Sequence, residues 1–278
     1  QVLSLSGQAL SSAEPTNKMI LENLQSAQVK YMDYPMDPEN VLWYGRRLAY
    51  AGKFQRAIKI FSEGILDHPK DARFYRHRGH RYITVRQFDK AIADLEKAAS
   101  LIQGKQNSVE KDGAPNKFNI PVSTLHHNIY YHLGLAYYLK QNFENAKIAF
   151  DNAYRVGTND DNKVSVTHWR YMILRRMGKS HDQAKHVLEP ISKDMNILEN
   201  VTYHKLDLFY KGEVALEDML ENDIESSKDA GTVYGLANWY YYNGDKHKAR
   251  EILTGLLNAK SWGSFGYIAA EADLAAMK

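Results

Sequence analysis

The densest run of groups able to do chemistry is YRHRGHRYITVR, residues 75–86. On a helix Arg76 and His80 are i,i+4 neighbours, and His77 and His80 are i,i+3 neighbours. One face would then carry a guanidinium, which offers a planar fork to carboxylate or phosphate, beside two imidazoles. His126, His127 and His132 add three more imidazoles, and Asp160 or Asp161 could add carboxylates. Two histidines at i,i+3 can chelate a metal, but neither an HExxH motif nor a closed ligand set is present. The expectation is hydrogen-bonding histidines, with no metal and no cofactor. Cysteine is absent, which excludes disulfides, zinc–thiolate sites and thiol nucleophiles. The sequence has no GxSxG elbow, P-loop or paired-glycine fingerprint, so a non-catalytic protein is expected.

Bulk properties narrow the classes further. Lys and Arg number 36 against 33 Asp and Glu, a formal net charge of +3. A nucleic-acid binder usually shows a stronger basic excess, so no nucleic-acid partner is expected. No apolar run approaches the length of a membrane-spanning helix. The chain starts at Gln1 rather than Met, which reads as a mature form with an export signal removed or as a trimmed chain. With the lack of cysteine, this tilts the expectation toward an exported bacterial protein over a cytoplasmic one.

The elements that must position these groups show an internal period. Gly45 is followed twelve residues on by Ala57 and four later by Phe61; Gly79 is followed in the same way by Ala91 and Leu95. The two glycines are thirty-four residues apart. Where two antiparallel helices cross closely only a small side chain fits, and Leu48, Phe54, Tyr82 and Phe88 would fill the space around the crossing. Gly134, Ala146 and Phe150 repeat the spacing after an insertion. This pattern resembles the tetratricopeptide repeat family. The resemblance implies an all-α, right-handed superhelical solenoid of about six helix-turn-helix repeats with N- and C-terminal capping helices, acting as a non-catalytic protein-interaction scaffold.

In chain order, residues 1–36 read as an extended or poorly ordered lead-in over 1–15, then a capping helix from about Asn17 to Tyr31 with Thr16 as its cap. The solenoid spans 37–278, with repeats at about 38–71, 72–102, 127–158, 165–196, 198–225 and 230–260. In the fourth, Met172 takes the small-residue place, with Ala184 and Leu188 following; the fifth is placed from spacing alone. Residues 103–122, rich in Gly, Pro and polar side chains, form a long loop that could fold across the groove. Residues 262–277 read as a terminal capping helix, and no strands are expected.

The first helix of each hairpin lines the concave side. By helical period, the residue after each small residue and those two, three and six before it face inward. That face is basic and aromatic together. The residues selected as groove contacts are Arg46, Arg73, Arg76, His80, Asn128, Tyr131, His132, Trp169 and Arg170. Such a groove suits an extended peptide bearing acidic side chains or a free carboxylate. Stacking predicts that Arg76 and His80 lie near Asn128 and His132 as a polar clamp. Family members that clamp chaperone tails have Asn where this chain has Arg46, and a Lys/Arg pair where it has Asn128 and His132, so chaperone C-termini are not expected ligands. The competing readings are an assembly module that dimerises through a terminal helix, leaving monomer or dimer open, and a metal- or small-ligand-binding solenoid built on the histidine cluster.

Overall fold

The computed structural model describes residues 2–12, 14–220, 229–259 and 261–277. Helix α1 (Lys18–Asp33) precedes α2 (Pro38–Tyr50), α3 (Phe54–Asp67), α4 (Ala72–Thr84), α5 (Phe88–Leu101), α6 (Leu125–Leu139), α7 (Phe143–Val156) and α8 (Asp160–Arg176). A short α9 (His181–Ala184) runs into a 3₁₀ turn at Lys185–Leu188. Then come α10 (Val201–Lys211), α11 (Leu216–Leu220), α12 (Ala230–Tyr242), α13 (Lys246–Leu256) and α14 (Phe265–Ala276). The starts are written locally. The side chains of Asp37, Asp71, Thr124, Asn159 and Asp229 each accept from a first-turn N–H, and Pro38 opens α2, where its missing N–H costs nothing.

Pairs α2/α3, α4/α5, α6/α7 and α12/α13 are antiparallel hairpins. Their crossings leave no room for a side chain at the small position. A Cβ on Gly134 would lie 2.6 Å from the Phe150 ring, and one on Gly79 would lie 2.8 Å from Leu95 Cγ. In α8 the same place holds the buried Met172, and the second arm of that repeat is cut short. Pro190 follows two residues after Leu188, and a proline disfavours helix both at its own position and just before it.

Several expectations need correcting. The fourth repeat, expected over 165–196, begins five residues earlier with α8 and has only the stub 181–188 as its second arm. The fifth, expected over 198–225, has α10 and a five-residue α11; positions 221–225 lie outside the described residues. Asn17, not Thr16, caps α1, accepting from the N–H groups of Met19 and Ile20. The lead-in contains a hairpin: Val2–Leu3 (β1) pairs antiparallel with Ala9–Leu10 (β2), so short strands do occur. Val2 and Leu10 are buried against Ile58, Val85, Trp262 and Tyr267. That burial gives the hairpin an apolar face to lose from water, which its Ser- and Gly-rich sequence does not advertise.

The terminal helix does more than cover the last repeat. The array curls back on itself, and α14 lies against the inner helices α4, α6, α8 and α12. Phe265 packs on His80 and His132, with ring centroids 5.3 and 5.6 Å apart. Trp262 meets Phe54 edge-on at 5.4 Å and donates its indole N–H to the Ser11 carbonyl. Glu271 accepts a bidentate pair from Arg86, at 2.9 and 3.0 Å, with both side chains nearly fully buried. Asp273 accepts from Gln141 (3.0 Å), Arg176 (2.9 Å) and Tyr234 (2.8 Å).

Two of these donors sit where the chain turns between the helices of a hairpin. The inter-helix turns use the left-handed region, with glycine at Gly52, Gly178 and Gly244. In the second and third repeats the position is Arg86 (φ 62°) and Gln141 (φ 60°). A non-glycine residue costs about 1–2 kcal/mol there. These are also the two turns whose side chains grip α14. We predict that Arg86→Gly relieves the backbone yet leaves Glu271 buried and unpaired, for a net loss of about 2–4 kcal/mol in urea unfolding. Adding Glu271→Gln recovers part of that loss. An Arg86→Gly protein as stable as the wild type would show that the ion pair does not hold α14.

Candidate functional site

The basic helix α4 presents its inner face to the 103–124 loop. Thr124 and Val109 pair as an isolated bridge, and Leu125 N–H donates to the Ser108 carbonyl, so the loop is anchored at the start of α6. From there residues 108–113 run across α2 and α4. Arg76 Nη2 stands 3.0 Å from Glu110 Oε1. Arg46 donates to the Lys111 carbonyl at 2.7 Å, and Arg47 to the Gly113 carbonyl at 2.6 Å. Further along, Asn159 and Asn162 both donate to the Val122 carbonyl, and Asn116 donates to Glu199. Loop backbone carbonyls therefore find fixed donors on the repeats, as any backbone drawn off the surface must.

Beneath this strand of loop is a cavity of about 150 Å³ lined by Arg46, Arg76, His80 and Asn128, with Arg81, His77, Glu110 and Asp112 also on its wall. A neighbouring cavity of about 240 Å³ joins Arg46 to Arg73, Glu39 and Trp43. So Arg46, Arg73, Arg76, His80 and Asn128 do converge at the α2/α4/α6 side of the concave face. The other selected residues do not line it. Trp169 is 2 % exposed, stacked on Phe150, and donates its indole N–H to Tyr131 Oη at 2.9 Å; Tyr131 is buried with it. His132 is buried too, its Nδ1 donating to the Asn128 carbonyl and its ring under Phe265. Arg170 turns to α7, donating to Asp151 at 2.7 Å and lying over the Tyr154 ring. Helical period puts Tyr131, His132 and Trp169 on the inner face, and α14 and the curling of the array make that face an interior.

Sequence reasoning passed over Arg47, Arg81 and Glu110. Arg47 follows a selected residue, and Arg81 lies inside the flagged YRHRGHRYITVR run. Nothing marks Glu110 out from the other loop carboxylates until the loop is folded.

The electrostatics are those of cations taken out of water. Burial first, and the neighbouring guanidiniums second, hold His77 and His80 well below the usual imidazole value. Burial does the same to His132, followed by Arg76. Arg76 Nη1 stands 2.8 Å from His77 Nδ1, which as the acceptor leaves the ring proton on Nε2, 3.5 Å from Glu110 Oε1. Burial and then Arg76 push Arg81 down to about 9. Arg73 is the exception: its hydrogen bonds to Asp71 raise it above the ordinary guanidinium value. Among the described residues no three His, Asp or Glu side chains converge as a metal-ligand set.

Residues 127–156, which span α6 and α7, match the tetratricopeptide repeat. A tetratricopeptide repeat protein from Parabacteroides merdae has a similar solved structure, with 17 % identity, 93 % of each chain covered and a TM-score of 0.54. The APC/C hetero-tetramer Cut9–Hcn1 has a chain similar at 14 % identity over 93 % of this chain and 46 % of that one, also with a TM-score of 0.54. No curated protein matches the sequence significantly. At such identities the likeness is one of fold.

The depressed histidines predict a pH dependence. Burial also lowers His127 to about 4 and His168 to about 3. An unfolded chain takes up protons on these rings near pH ~6.5 while the folded chain does not, so their contribution is full above that pH and is lost on acidification. Asp207, whose burial raises its carboxyl well above the usual range, works in the opposite sense with one proton. Burial raises Asp94, Asp112 and Glu199 as well, in the same sense as Asp207, and the five histidines outweigh these carboxyls. Urea-unfolding free energy is expected to fall from pH 7 to pH 5 by more than about 1.4 kcal/mol per unit, the slope of one proton, and His80→Gln should make the fall shallower by up to that amount. A level profile would mean that these rings are hydrated.

Proposed function

We propose that this chain, a tetratricopeptide repeat solenoid in fold with a matching repeat at residues 127–156, binds an extended acidic segment of a partner protein on its basic inner face. The fold is that of a protein-interaction scaffold. The observation that carries the finer reading is the seat of residues 108–113. The face already holds an extended acidic stretch, the chain's own Ser-Val-Glu-Lys-Asp-Gly. Arg76 takes its carboxylate, and Arg46 and Arg47 take its backbone carbonyls. Side-chain charge and backbone are thus both read, which is what recognition of an extended peptide requires. The residues we assign to the contact are Arg46, Arg47, Arg73 and Arg76. A partner segment takes the place of the loop strand, so affinity is reduced by whatever the loop gains from staying.

The interior positions Tyr131, His132 and Trp169 support this face from behind. Assembly through α14 is disfavoured, because that helix is already packed inside its own chain.

The test uses the loop as its own ligand. A protein in which residues 106–122 are replaced by a short Gly/Ser linker should bind a labelled peptide of residues 106–114 in fluorescence anisotropy. The full chain should bind it more weakly. Changing the peptide's Glu to Gln, or Arg76 to Ala, should weaken binding at least about tenfold, the value of one charge-assisted contact. A loop-replaced protein of unchanged helicity that ignores the peptide would remove the basis for the reading.

A further inference from the structure

With the loop in place the inner face still holds a guanidinium that no described residue neutralises. Arg46, Arg76 and Arg81 reach the same cavity of about 150 Å³, from α2 and from two successive turns of α4. Arg46 and Arg76 are 6 % and 7 % exposed, and the Nε–H of each is buried without an acceptor. Arg81 has neither a carboxylate nor a hydrogen-bond acceptor among the described residues; its guanidinium carbon stands 5.7 Å from the centre of the Phe54 ring. Three guanidiniums face two carboxylates there, Glu110 and Asp112. His77 and His80, also on the wall, are held neutral and add no compensating charge, and Tyr50 Oη accepts from Arg46 at 3.4 Å. Arg81 is half-buried; a donor withdrawn from water without an acceptor is costly, and a cation without an anion more so.

We propose that this cavity binds one phosphate group while the loop remains closed over it. Three forks arriving from different directions offer more donors than a planar carboxylate, which one fork satisfies, can accept; a tetrahedral oxyanion presents acceptors toward all of them. Burial first, and then Arg76, depress the proton affinity of Arg81, and a bound phosphate opposes the second of these causes. This goes beyond the peptide reading. A peptide replaces residues 108–113, whereas the phosphate lies beneath them and leaves Glu110 on Arg76. The group belongs to free phosphate or to a phosphorylated side chain, the shared chemistry being a single phosphoryl oxyanion.

Calorimetric titration of the full chain, at constant ionic strength, with inorganic phosphate, O-phosphoserine and acetate tests the site. Phosphate or phosphoserine should saturate at one site per chain, and acetate should not match either. Binding of phosphate alone identifies the free anion, and tighter binding of phosphoserine identifies a modified side chain. Arg81→Gln, which removes no hydrogen bond to the loop, should keep the circular dichroism spectrum and lose at least about tenfold in affinity. Phosphate should also raise the melting temperature of the wild type and not that of Arg81→Gln. The proposal fails if neither phosphate compound binds, if acetate binds as well, or if Arg81→Gln binds unchanged.

Discussion

The structure depends on the carboxylates that meet three guanidiniums turned toward the inside of the curl. A buried charge is tolerated only with a partner, and removing the partner costs several kcal/mol. Arg76, Arg86 and Arg176 all point to the inside of the curl, and each meets a carboxylate of this same chain: Glu110, Glu271 and Asp273. These acids lie on two segments outside the regular hairpins, the 103–124 loop and α14. Pairing them with the repeats draws both segments into the concave side. The hydrophobic contacts follow that placement, with Phe265 on the His80 and His132 rings and Trp262 against Phe54.

The cost of this arrangement appears in the backbone. Tight turns between antiparallel helices favour glycine because they need a left-handed residue. Arg86 and Gln141 occupy that conformation without being glycine, and both reach α14. Local strain is tolerated where the surrounding contacts over-determine it. Gly266 marks the other half of the fit: a Cβ there would collide with the Ala230 carbonyl, so α14 and the start of α12 meet backbone to backbone.

A self-filled groove changes what the solenoid can offer. An open array presents its inner helices along their length. Here α6 and α8 are buried, α6 in part under α14 and α8 under α10 and α12, and the remaining basic surface, on α2 and α4, is covered by a strand of loop held mainly through polar and charged contacts. Such contacts exchange with a competing ligand at little net cost, because each loop carbonyl and carboxylate regains water on release. The apolar α14 seam is the more permanent of the two closures, since opening it exposes buried rings as well as paired charges.

The sequence by itself determined the hairpins. The spacing of Gly45, Ala57 and Phe61, and its recurrence at Gly79 and Gly134, is a local requirement of two helices crossing closely, so it is written within one repeat and can be read there. Helical period, which is local, also carried most of the inward set, though Arg170 turns to α7 instead. Where Met172 and Pro190 replaced the pattern, the second arm of the repeat shrank, and spacing alone overestimated it. Only the tertiary structure decided whether an inward residue is surface or core. Arg86 and Glu271 are 185 residues apart, and nothing in the neighbourhood of either names the other. The pairing exists because the cumulative curl of all the repeats brings their ends together. That curl sums many small inter-helix angles, none of them legible in the residues of a single hairpin, and it turned Trp169 into core and left Arg76 facing Glu110.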